Sequence, residues 1–135
     1  MAFNYCTRVR FVDTDASLRI HFTAMLRHFE AAEQEFLRSL DLEFQEMQAT
    51  GVGFPRVHVE CDYSGAVRYD DQLEIAVTVE RIGRTSYTLG YAAGVEGRAV
   101  ARGRITVVAL DLKSQRATPL PEALARKFGE TTHLT

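Results

Sequence analysis

Only one long stretch of the chain carries a helical period, and almost everything after it reads as strand. From Phe22, the apolar residues Leu26, Phe29, Phe36 and Leu40 recur at steps built from three and four, with Ala31, Ala32 and Leu37 widening the stripe. This predicts a helix from about Phe22 to Leu40, with a second short helical piece running through Met47. The cluster TGVGFP then breaks the pattern. A solitary apolar helix must bury its stripe against something, and here only strands can cover it. A curved antiparallel sheet wrapped around one helix, an α+β architecture, satisfies both.

The strand signals alternate with period two. Tyr5–Val12 puts Tyr5, Thr7, Val9 and Phe11 on one face and Cys6, Arg8, Arg10 and Val12 on the other. Arg56–Tyr63 opposes Val57, Val59 and Cys61 to His58, Glu60 and Asp62. RYDDQ reads as a turn into a strand over Leu73–Ile82, GRTS as the break before Tyr87–Ala93, and VEGRA as a hairpin into Val100–Leu110. Short turns between successive strands imply an antiparallel meander. The prolines of PLPEALARKF suit the start of a short C-terminal helix. One sheet and one helix leave strand edges open, so pairing of strands between two copies is expected.

Length and composition narrow the function classes. The 135 residues, 46% hydrophobic and 25% charged, suit one soluble domain spanning residues 1–135. A formal net charge of -2 gives no basic field for nucleic acid. No apolar run is long enough to cross a bilayer, and arginines interrupt MAFNYCTRVRF where a signal peptide needs its apolar core, so a cytoplasmic location is expected. Cys6 and Cys61 are far apart and have no CxxC neighbour, which argues against a metal or redox motif.

The segment DTDASLRIHF, directly before the long helix, carries the chemistry. Unpaired N–H groups at a helix N-terminus present partial positive charge to a developing oxyanion. A carboxylate on the preceding loop can face the same carbonyl as nucleophile or general base. Asp15 stands seven residues before Phe22, on the loop that delivers the chain to that terminus. From spacing alone, a loop carboxylate that caps a turn or stays solvated is the favoured reading of Asp15. Asp13 reads as a residue that bonds nearby amides and stabilises the turn.

RVRFVDTDASLRIHF, the following LRHFEAAEQEFLRSL and the strand pair YDDQLEIAVTVERIGRTSYTL resemble hotdog-fold acyl-CoA thioesterases of the 4-hydroxybenzoyl-CoA thioesterase type, over nearly the whole chain. The resemblance implies a hotdog fold, an acyl-CoA substrate, hydrolysis without metal or organic cofactor, and dimers or tetramers made of paired dimers. It implies that Asp15 is the catalytic carboxylate. Ser17, Leu18, Ile20, His21 and Phe22 would form the substrate and oxyanion site, with backbone near His21 and Phe22 binding the thioester oxygen. Arg84, Thr85 and Ser86 match the family's turn for CoA phosphate and pantetheine, although an exposed hairpin explains them equally.

Three positions leave alternatives open. Leu18 stands where the family commonly has glycine, which allows positive φ and close approach of substrate. The pair His21-Phe22 is similar to the His-Phe of hotdog dehydratases, where a histidine works with a helix carboxylate such as Glu33. Glu33 falls on the apolar stripe. Either it has a catalytic role, or the stripe turns onto Ala32 and Glu33 lies at its edge, paired with an arginine. Thioesterase, dehydratase or hydratase, and non-catalytic acyl-CoA binder therefore remain as competing readings.

Overall fold

The computed structural model describes residues 2–133. Strands β1 (Phe3–Arg8), β3 (Arg56–Tyr63), β4 (Gln72–Ile82), β5 (Ser86–Val95) and β6 (Arg98–Val108) form one antiparallel sheet in the order β1-β4-β5-β6-β3. Short strands β2 (Val52–Gly53), β7 (Leu110–Asp111) and β8 (Arg116–Ala117) make a small second sheet. Helix α1 (Phe22–Ser39) lies against the large sheet, α2 (Phe44–Ala49) follows it, and α3 (Glu122–His133) packs near β4. This is the expected antiparallel sheet with one long helix, but not the expected simple meander: β3 does not neighbour β4 and instead pairs with β6 at the far edge, because the β3 ladder bonds form to Ala101–Val107.

Local chemistry sets the element ends. The β1 alternation stops at Arg8 rather than Val12 because the Asp13 carboxylate accepts the Arg10 N–H at 2.8 Å. The chain there folds into a 3₁₀ turn over Phe11–Asp13, which leaves Phe11 and Val12 exposed. Helix α1 ends as Asp41 takes φ 57° and the Leu42 N–H reaches back to the Leu37 carbonyl at 2.9 Å. Glu96 and Gly97, at φ 51° and 78°, close the β5–β6 hairpin with the positive φ values that match strand twist.

The core lies between α1 and the sheet. Phe29 stacks on Tyr91 with centroids 4.7 Å apart, and Phe36 touches Phe3 and Phe128. Gly103 permits that approach, since a Cβ there would sit 2.6 Å from the Phe29 ring. The buried face of α1 carries Met25, Phe29, Ala32, Glu33, Phe36 and Leu37. Phe22, expected to begin this stripe, is instead 66% exposed. Strand β3 is a free edge, with Val57, Val59 and Tyr63 in solvent.

Candidate functional site

The loop from Asp13 to His21 is tied at both limbs. On the return limb, Ile20 N–H bonds the Val67 carbonyl at 2.8 Å and Tyr69 N–H bonds the Leu18 carbonyl at 2.9 Å. On the outgoing limb, Asp13 is buried, and its Oδ2 accepts from the Arg10 amide and lies 3.0 Å from His28 Nε2 on α1. The Asp13 carbonyl then accepts the His21 N–H at 2.7 Å, joining the loop to the helix start. Asp13 is therefore bonded as a scaffold residue.

Asp15 is exposed. Its Oδ1 accepts the Ser17 hydroxyl at 2.6 Å and the Ser17 N–H at 2.8 Å. The Ser17 hydroxyl, then its amide, hold the carboxyl below the ordinary aspartate range, so it stays ionised at neutral pH. The turn-capping geometry that spacing allowed is thus present. Leu18 sits at φ 64°, the left-handed conformation that glycine adopts freely. The loop keeps a glycine-like shape at a cost of about 1 kcal/mol in backbone strain.

At the start of α1 the amides are nearly all taken. His21 donates to Asp13, Thr23 N–H donates to His21 Nδ1 at 3.2 Å, and Ala24 N–H donates to the His21 carbonyl at 2.9 Å. Among the described residues, the Phe22 N–H has no such partner. The Phe22 carbonyl accepts from the Tyr63 hydroxyl, and burial with the neighbouring Cys61 pushes that phenol up to about 12, which keeps it a donor. Phe11, packed edge-on against Tyr69, together with Leu18, Phe22 and Tyr63, gives this end of the molecule an exposed, largely aromatic surface.

The two residues that the dehydratase alternative would pair separate here. His21 is the N-cap of α1, whereas Glu33 lies twelve residues along it, roughly 18 Å at helical rise. Glu33 is 2% exposed and sits in the core, not at the edge of the stripe. It has the expected arginine partner, Arg56, and also accepts from the Tyr87 hydroxyl at 3.0 Å. Burial raises its pKa and Arg56 opposes that shift. Within one chain, His21 and Glu33 therefore do not face each other as an acid–base pair.

Arg84, Thr85 and Ser86 form the β4–β5 turn, held by bonds from Ala109 N–H to the Thr85 carbonyl and from Leu120 N–H to the Arg84 carbonyl. The Asp15 loop is tied to residues 67–69, just before β4, so β4 separates the two regions by roughly 33 Å. His28, Tyr63 and Arg56 were not singled out in the sequence. His28 had a faint signal, lying seven residues beyond His21 and thus on the same helix face. Tyr63 and Arg56 had none, because strand alternation does not reveal a contact with a helix.

The curved antiparallel sheet around one central helix makes this a hotdog-fold protein, with a charged carboxylate on the loop leading into that helix. The chain belongs to the thioesterase-like superfamily, whose family model matches residues 9–128. A 1,4-dihydroxy-2-naphthoyl-CoA hydrolase from Synechococcus sp. (strain WH7803) is 32% identical over 127 residues, covering 88% of this chain and 83% of the relative. The crystal structure of a 1,4-dihydroxy-2-naphthoyl-CoA thioesterase from Synechocystis superposes with a TM-score of 0.91 at 22% identity, covering 98% of this chain and 99% of that one. A gentisyl-coenzyme A thioesterase superposes with a TM-score of 0.85 at 24% identity, covering 93% and 99%.

Proposed function

We propose that this protein hydrolyses an aromatic acyl-CoA thioester to the free acid and CoA, with Asp15 as the catalytic carboxylate. The observation that carries this reading is one ionised carboxylate and one amide without a partner among the described residues, Phe22 N–H, joined by a single loop braced at both limbs. The Synechococcus relative acts on a hydroxylated naphthoyl-CoA, and the exposed Phe11, Phe22 and Tyr69 offer aromatic surface beside the loop. The Phe22 N–H would donate to the thioester oxygen as negative charge develops on it, where a preorganised donor is worth most.

The lowered pKa of Asp15 keeps it ionised, the form that attack on the acyl carbon needs, and we take the carboxylate itself as the attacking group. Asp15 oxygen bonds to the acyl carbon, the C–S bond breaks, and CoA leaves as a thiolate that takes a proton from water. Water then cleaves the acyl–aspartyl anhydride, releasing the acid and restoring Asp15. His21, Ser17, Leu18 and Ile20 shape the loop rather than react.

A second copy completes the site. Two β3 edges paired antiparallel about a two-fold axis would run the Arg56 end of one strand beside the Tyr63 end of the other. The Arg84–Ser86 turn lies at the Arg56 end, since the Val108 N–H bonds the Pro55 carbonyl at 3.1 Å and Ala109 N–H bonds Thr85. The partner's Arg84 thereby approaches Asp15 and could hold CoA phosphate. The exposed Val57 and Val59 support a covered edge. Among the described residues, no helix is long and apolar enough to cross a membrane. The free Cys6 and Cys61 fit the reducing cytoplasm, where we place the protein.

The test is thiol release from a panel of aromatic and aliphatic acyl-CoA thioesters. Asp15→Asn should lower kcat by about 10²–10⁴-fold with folding retained. A wild type that releases no CoA from any of them would overturn the reading.

A further inference from the structure

We propose that His28 is a positioning residue for the loop reaction, acting through Asp13. This rests on the thioesterase reading for its kinetic consequence but on geometry for its existence. Asp15 is exposed, and its own carboxylate contacts are local, to Ser17. Its backbone is tied to the return limb, with Asp15 N–H bonding the Arg19 carbonyl at 2.8 Å and Leu18 N–H the Asp15 carbonyl at 3.0 Å, so where it lies relative to the Phe22 amide depends on how both limbs are held. The return limb is fixed by backbone bonds to residues 67–69. The outgoing limb has one side-chain anchor on the helix interior, the Asp13 carboxylate.

That carboxylate is 4% exposed, so it needs bonded partners to stay buried. It has the Arg10 amide at 2.8 Å within its own turn, and His28 Nε2 at 3.0 Å from the second turn of α1. Arg27 stands farther off, at 3.4 Å from the other oxygen, with its side chain 57% exposed. His28, with a side chain 12% exposed, is therefore the enclosed link between helix and loop. The Asp13 carbonyl receives the His21 N–H at 2.7 Å, so the brace spans the helix start that presents Phe22 N–H. His28, Asp13 and His21 form a closed loop of bonds that sets the angle between carboxylate limb and oxyanion amide. A misplacement of about 1 Å between reacting groups can cost about 100-fold in rate.

The experiment uses the full chain with an aromatic acyl-CoA thioester that the wild type hydrolyses. His28→Ala should lower kcat at least about tenfold while KM stays within about twofold. His28→Gln carries an amide nitrogen at similar reach and should restore most of the loss. In parallel, hydrogen exchange at the His21 amide should speed up in His28→Ala and return toward wild type in His28→Gln, with α1 core amides unchanged. If His28→Ala does not fold, His28→Phe removes the donor while keeping the ring. Equal kcat in wild type and the donor-less variant, or a His28→Gln no better than it, overturns the proposal. If the wild type hydrolyses nothing, the function reading fails, and an unchanged His21 exchange rate alone would still overturn the brace.

Discussion

Removing the Arg56 guanidinium tests what keeps Glu33 in the core. In Arg56→Ala, the Glu33 side chain, 2% exposed, keeps among the described residues only the Tyr87 hydroxyl at 3.0 Å. The Tyr91 hydroxyl is buried with no hydrogen-bond partner among the described residues, so it does not bond Glu33 in this arrangement. Stripping one partner from a buried ion pair costs about 3–5 kcal/mol. Arg56 is 28% exposed, so water partly compensates and the lower end, about 3 kcal/mol, applies. At about 4 °C per kcal/mol for a chain this size, Tm should fall by about 12 °C at neutral pH and fixed protein concentration.

The pH dependence of that loss separates an uncompensated charge from a simple cavity. Burial already raises the Glu33 pKa above its ordinary 4.5, and Arg56 is the main influence opposing the rise. A carboxyl whose folded pKa is raised contributes stability that is fully present below its unfolded pKa and lost as pH rises through the folded one. Without Arg56 that window widens upward. The gap between wild type and Arg56→Ala should therefore shrink steadily as pH falls from 7 toward 4.5, in urea titrations at each pH. Glu33→Gln combined with Arg56→Met should recover most of the stability at pH 7, since an apolar or neutral pair avoids the buried charge. A loss under about 1 kcal/mol, or a gap that does not change with pH, would refute this account.

Two further outcomes are expected. Leu18→Gly should unfold in urea within about 0.5 kcal/mol of wild type, because relief of strain at φ 64° offsets the greater freedom of glycine in the unfolded chain; Leu18→Val should cost about 1–2 kcal/mol. Sedimentation should show the wild type as a dimer or larger, and Val59→Lys, placing charge on the free β3 edge, should yield monomers with reduced thiol release; a monomeric wild type would remove the shared-site reading.

Much of the fold was legible because its signals are local. The spacing from Leu26 to Leu40 marks a helix wherever it packs, and the alternation of Leu73–Ile82 or Arg56–Tyr63 marks strands almost to the residue. The phase of the α1 stripe was less legible. Phe22 belongs to it by apolarity yet lies in solvent, while Glu33 breaks it yet is buried. Apolar periodicity registers the cost of burying a carboxylate, but not the partners that offset it, which come from residues 23 and 54 positions away.

The sequence by itself determined the long elements, the hairpins joining β4, β5 and β6, and the loop with two aspartates ahead of one helix, since backbone sterics and side-chain period act within a few residues; it did not place β3, which pairs with β6 and not with β4. The sequence already read Asp13 as a turn stabiliser and Asp15 as the reactive candidate, but only the tertiary structure supplied the partners of each. Asp13 turns inward to His28 and becomes a brace, while Asp15, two residues on, turns outward to Ser17 and stays charged in solvent. It also gave Leu18 its left-handed backbone and put the Arg84 turn at the far end of β4 from Asp15. These outcomes depend on what distant segments bring alongside, and no spacing within DTDASLRIHF encodes that.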